Sequence, residues 1–158
     1  MRLDKFTIKA QEALAAARDL ADGRAHQEVT PEHLLRALVN QEDGVVLAVL
    51  RKLGADAEAI GRKVDEALDK QPQVRGSSAE GFLGHRLKDL LEEATRQSQE
   101  FKDEYVSSEH LLLAMLAKDV GDASRILREA GVDRDDLLKA LADVRANQRV
   151  TDPDAEQR

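Results

Sequence analysis

The chain has 158 residues, no cysteine and a formal net charge of −7. That length suits one domain that folds without a disulfide or metal, and the missing thiols exclude cysteine catalysis and thiolate metal sites. The acidic balance excludes a nucleic-acid backbone as partner, because such affinity rests on Lys and Arg neutralising phosphates.

Phe6, Phe82, Phe101 and Tyr105 are the only aromatic residues, too few for base stacking. The opening MRLDKFT is charged and shows no apolar signal-peptide core. The block from Val45 to Leu50 falls short of the ~20 residues a membrane span needs. A cytoplasmic chain with no membrane partner is the expectation. Ala, Leu, Glu, Lys, Arg and Gln dominate, and these are strong helix formers. The fold class expected is all-α.

In chain order, Thr7 is the cap candidate of a first helix whose stripe runs Ala10, Ala13, Leu14, Ala17, Leu20 and Ala21, with Gly23 ending it. Thr30-Pro31-Glu32 starts a second helix: Thr caps, Pro takes the first helical position, and Glu lies at the positive end of the dipole. Gly44 opens a third helix bearing Val46, Val49, Leu50 and Leu53, and Gly54 stops it. Asp56 caps a fourth with Ile60, Val64 and Leu68.

The pattern then repeats. VTPEHLLRAL from Val29 returns as VSSEHLLLAM from Val106, 77 positions later. Leu14 falls on Leu91, Ala17 on Ala94, Gly44 on Gly121, Gly54 on Gly131 and Asp56 on Asp133, without a gap. The chain is therefore a duplication, read as repeats 1–70 and 82–146 that pack as a pseudo-twofold bundle of two four-helix units. Residues 71–81, rich in Pro, Gly and Ser, read as a linker, and 147–158 as a flexible tail leading to an absent module.

Candidate chemistry is sparse. Gly76 and Gly81 have the first spacing of a phosphate loop, but Phe82 stands where Lys is needed. Glu32-His33 and Glu109-His110 are adjacent pairs that diverge by about 100° on a helix and make poor chelates. The expected roles are a Glu at a helix N-terminus and a His packed against the neighbouring unit. His26 and His85 read as surface residues. The serines at 77, 78, 107 and 108 sit at caps or in the linker, where backbone hydrogen bonds explain them. No catalytic site or metal site is expected. What remains is surface recognition. Ile8, Val45, Phe82, Tyr105 and Val106 are candidates for an apolar groove between the units, rimmed by Glu32, Asp103 and Glu109.

MRLDKFT, the doubled VTPEHLLRAL/VSSEHLLLAM, the linker phrase QPQV and the stretch up to DAEQR together resemble the double Clp N-terminal repeat, and within that family its ClpB-type disaggregases. The resemblance implies an eight-helix domain tethered to two ATPase rings and a coiled-coil middle domain in a homohexamer. ATP and magnesium belong to those rings, with no cofactor in this segment. It implies that the domain engages unfolded or aggregated polypeptide and gates its way to the pore, with the DnaK system acting through the middle domain; the domain itself is expected to be a monomer, since the sequence shows no long heptad or large apolar face. The family's functional residues match Thr7, Asp103 and Glu109, and Glu32, Phe82 and Tyr105 complete the expected substrate-binding set. An adaptor-docking domain of a ClpA- or ClpC-type protease unfoldase is the alternative.

Overall fold

A computed structural model of the chain describes residues 3–74, 81–145, 153, 154 and 156. After a single 3-10 turn at Leu3–Lys5, four helices follow: α1 (Ile8–Gly23), α2 (Pro31–Asn40), α3 (Val45–Lys52) and α4 (Ala57–Asp69). The second unit contributes α5 (His85–Glu100), α6 (Ser108–Ala117), α7 (Asp122–Glu129) and α8 (Arg134–Arg145). Each helix of the second unit begins 77 residues after its counterpart: Ile8 and His85, Pro31 and Ser108, Val45 and Asp122, Ala57 and Arg134. The all-helical reading is borne out, with one addition. Two-residue strands β1 (Glu28–Val29) and β2 (Phe82–Leu83) pair in parallel.

The caps form where the sequence places them. The Thr7 hydroxyl accepts from the Ala10 amide at 3.2 Å, the Asp56 carboxylate from Ala59 at 3.0 Å, and Asp133 from Asp136 at 2.9 Å. Gly54 and Gly131 adopt φ of 75° and 83°, the left-handed turn that ends α3 and α7. Gly23 does not do this for α1. It is the last helical residue, and the left-handed position falls to Ala25, with φ 58°. Lys102, its counterpart after α5, has φ 59°. In both places the chain closes a Schellman turn, with His26 N donating to Ala21 O at 2.8 Å and Asp103 N to Ser98 O at 2.9 Å.

The core is one continuous cluster spanning both units. Ala10, Ala13, Ala17 and Ala21 line the buried face of α1, and their small side chains let α2 approach closely. In the second unit Leu87, Leu90, Leu91 and Ala94 do the equivalent work on α5. Contacts across the units are reciprocal: α4 packs on α7 as α3 packs on α8, and α2 meets α7 as α3 meets α6.

The lead-in segments cross over in the same way. Val29 of the first unit pairs with Leu83 of the second, while Val106 of the second pairs with Phe6 of the first. Thr7 N donates to Val106 O at 2.9 Å, and its counterpart Gly84 N donates to Val29 O at 3.0 Å. Two related junctions result, one at β1–β2 and one at Phe6–Val106.

In the stretch expected as a flexible tail, Pro153 and Glu156 are docked rather than free. Ile8 N donates to Pro153 O at 2.9 Å, and Ser108 N to Glu156 Oε1 at 3.0 Å. The physical reason is that the first amides of α1 and α6 have no partner within their own helices. Residues 147–152, 155, 157 and 158 of that stretch and 75–80 of the expected linker lie outside the described residues.

Candidate functional site

The crossover sorts the expected site residues into two groups. Thr7, Asp103, Tyr105 and Glu109 belong to the Phe6–Val106 junction. Glu32 and Phe82 belong to the β1–β2 junction. The set therefore does not line one groove.

At the first junction the three family-matched residues are held by their own chain. Thr7 is fully buried, caps α1, and donates its hydroxyl to the Glu156 carboxylate. Asp103 takes the position that the Schellman turn of α5 gives it. One of its oxygens accepts from His110 Nε2 at 2.8 Å, and the other from Arg145 of α8 at 2.6 Å. Glu109 sits in the first turn of α6, accepts from the Ser107 hydroxyl at 2.8 Å and lies 3.6 Å from Arg145 Nε. Burial pushes the Glu109 carboxyl above its usual range; Arg145 opposes the rise and Glu156 adds to it. Asp103 and Glu109, expected on a charged rim, are buried instead. Each must be buried because it answers a buried donor or cation that would otherwise stand unpaired.

His110 shows how the junction is wired. Its Nδ1 accepts from the backbone N–H of the cap residue Ser107 at 2.8 Å, which leaves the proton on Nε2 for Asp103. This is a capping box with histidine in the place usually held by Glu or Gln. The first unit repeats the device: Thr30 N donates to His33 Nδ1 at 2.9 Å, and His33 Nε2 reaches His26 Nδ1 at 2.9 Å. His26 is thus buried at 3 % exposure, against the expectation of a surface residue. It stands 77 positions before Asp103 and fills the same place. Burial drops the His33 pKa to about 4, and the neighbouring His26, Arg24 and Arg86 act in the same direction. Burial also lowers His26. His85, by contrast, is exposed as expected.

The second junction is closed by an ion pair. Glu32 is 4 % exposed, receives both Arg86 nitrogens at 3.0 and 3.2 Å, and accepts the Ala123 amide of α7 at 3.0 Å. It staples the units together and offers no free rim charge. Phe82 is the outlier, 56 % exposed on β2. Val106 is buried at 2 %, while Ile8, Val45 and Tyr105 are half-buried, so the expected apolar groove has no continuous exposed lining among these five.

A cleft of about 370 Å³ does open beside the first junction. Lys5, Thr95, Ser98, Gln99, Asp103 and Glu104 line it, with Phe6 and Val106 beneath them almost fully covered, at 1 % and 2 % exposure. Its accessible lining is mixed, the stems and polar ends of side chains from α5 and from the two crossed lead-in segments.

Residues 5–130 match the Clp repeat (R) N-terminal domain family. The chain is 37 % identical over 159 aligned residues to the chaperone protein ClpB of Bacillus anthracis, covering 99 % of this chain and 18 % of that protein. It thus spans under a fifth of the curated relatives' length. Among solved structures, the Hsp104 N-terminal domain from Candida albicans superposes with a TM-score of 0.83 at 25 % identity, covering 96 % of this chain and 99 % of that one. A ClpV N-domain in complex with a VipB peptide superposes with a TM-score of 0.73 at 26 % identity, covering 94 % and 92 %.

Proposed function

We propose, for a chain that belongs to the Clp repeat N-terminal domain family, that it is the substrate-engaging domain of a ClpB-type ATP-dependent chaperone. It binds unfolded or aggregated polypeptide and passes it towards the pore of a hexamer in the cytoplasm, where the DnaK system cooperates through a middle domain. ATP hydrolysis with magnesium belongs to the parts of the parent protein beyond this chain. The domain itself recognises and does not catalyse.

The observation that carries this reading is the cleft at the Phe6–Val106 junction, next to the three residues that the family resemblance singles out. An unfolded chain offers backbone groups to its polar walls and apolar side chains to the stems of Lys5, Gln99 and Glu104. A related ClpV N-domain holds a peptide, which supports a peptide-sized ligand for this fold. Phe82, on the other junction, is an exposed apolar contact available to a long chain.

The test is a titration of the isotope-labelled domain with a permanently unfolded model protein, followed by amide NMR shifts. Shifts gathered on Lys5, Phe6, Ser98, Asp103 and Val106 are expected. Shifts absent at millimolar substrate would refute substrate docking and favour a folded adaptor.

A further inference from the structure

The two junctions are related by the duplication, yet they are not alike, and the differences fall on the residues that touch Pro153 and Glu156. At the β1–β2 junction, α2 begins with Pro31, which has no N–H to offer, and α5 is capped by Gly84, which has no side chain. The Glu28 carboxylate lies against Gly84, and Glu32 is locked by Arg86. That crevice is closed by permanent parts of the bundle.

At the Phe6–Val106 junction the counterparts are donors. Ser108 replaces Pro31 and gives its N–H to Glu156 at 3.0 Å. Thr7 replaces Gly84 and gives its hydroxyl to the same carboxylate oxygen. Lys9 replaces Arg86, but its ammonium turns to Asp43 at 3.1 Å and leaves Glu109 without the clamp that holds Glu32. The Ile8 amide holds the Pro153 carbonyl. Among the described residues, the fully buried Ser108 hydroxyl has no hydrogen-bond partner, nor does Glu156 Oε2. Two helix N-termini, of 16 and 10 residues, converge here and favour negative charge, against the repulsion of the buried Glu109 carboxyl in the first turn of α6.

We propose that the crevice between the N-termini of α1 and α6 is a binding site for an acidic polypeptide turn, which the chain's own Pro153 and Glu156 occupy and for which substrate competes. The ligand class follows from the contacts: a backbone carbonyl for Ile8 N–H and, three residues on, a carboxylate for Ser108 N–H and Thr7 Oγ1. The tail occupies the site at the high effective concentration of a tethered ligand. This deepens the docking reading, on which it rests for the identity of the competing chain.

The test uses the full 158-residue chain, a hexapeptide with the sequence of residues 152–157, and the same peptide with glutamine replacing its glutamate. In Glu156→Ala the tail loses two charge-assisted hydrogen bonds. The acidic hexapeptide should then bind about tenfold tighter than to wild type, shifting the Ile8 and Ser108 amides. The glutamine peptide keeps both acceptor contacts and loses only the charge, so it should bind more weakly by the charge-assisted part alone. Ser108→Pro installs the residue that the first unit already uses there. It should release the tail, read at the Ile8 amide, and abolish hexapeptide binding even when combined with Glu156→Ala. Equal hexapeptide affinity for wild type and Glu156→Ala overturns the proposal, as does an Ile8 amide that neither substitution moves. The unfolded model protein, titrated into the same variants and read at Lys5 and Glu104, separates the two readings. Shifts there without a hexapeptide effect would remove this site and leave substrate docking standing.

Discussion

His33 makes the fold sensitive to mild acid, by an amount that can be worked out. Its ring is fully buried, its Nδ1 accepts from Thr30 N–H, and its pKa lies at about 4. In the unfolded chain a histidine titrates near 6.5. Between those values the unfolded state binds the proton and the folded state does not, so stability falls as pH falls. The contribution is fully present above about pH 6.5 and is lost progressively towards pH 4. With about 1.36 kcal/mol per unit, the loss between about pH 7 and 4.5 is roughly 2 kcal/mol. His26 is lowered too and acts with the same sign. Glu109 is raised and acts with the opposite sign, its contribution being lost as pH rises.

The comparison that isolates His33 is with His33→Gln. Glutamine is a regular capping-box partner for the Thr30 amide but does not titrate. Urea denaturation followed by far-UV circular dichroism should give wild type about 2 kcal/mol more acid destabilisation than the variant over that interval. Parallel stability–pH profiles for the two proteins would refute the reasoning, because His33 would then titrate alike folded and unfolded.

Asp103→Ala should cost about 3 kcal/mol, measured as a lowered urea midpoint, because it leaves His110 Nε2–H and the Arg145 guanidinium buried without their carboxylate. Any loss of binding in that variant has to be compared with this loss of fold. Ala25→Gly should stabilise by about 0.5–1 kcal/mol, as a rise in melting temperature, by relieving a left-handed residue that carries a Cβ. Ala13→Leu should destabilise by about 1–3 kcal/mol in the same assay, because α1 meets α2 through a face with no room for three more carbons.

The duplication made the eight helices legible. Caps at Thr7, Asp56 and Asp133 and left-handed glycines at 54 and 131 are local features, set by residues within a few positions of one another. Three things were not legible in the same way. The Schellman turns after α1 and α5 use Ala25 and Lys102, neither of which advertises a positive φ. The buried His26 takes its meaning from His33, through a turn that periodicity does not describe. A signal was present all the same: the 77-residue register places His26 on Asp103, and a position occupied by two polar residues before the same Glu-His pair is more than a surface. The third was the division of the candidate site. Thr7, Asp103 and Glu109 could be matched by motif, but that Glu32 and Phe82 belong to the opposite junction depends on the crossover of the lead-in segments. That crossover is carried by backbone hydrogen bonds, which any residue types could make.

The exchanged lead-ins also bear on how the protein behaves on dilution. One unit alone would carry an unpaired edge, Phe6 or Leu83 according to the copy, and would need a second molecule to cover it. Two such units in solution would meet by diffusion, and their folded fraction would depend on concentration. Joined in one polypeptide, they meet at an effective concentration on the order of millimolar however few molecules are present. The partnership of a dimer thus becomes a first-order property of a single chain, and the melting temperature should be the same at nanomolar as at micromolar protein.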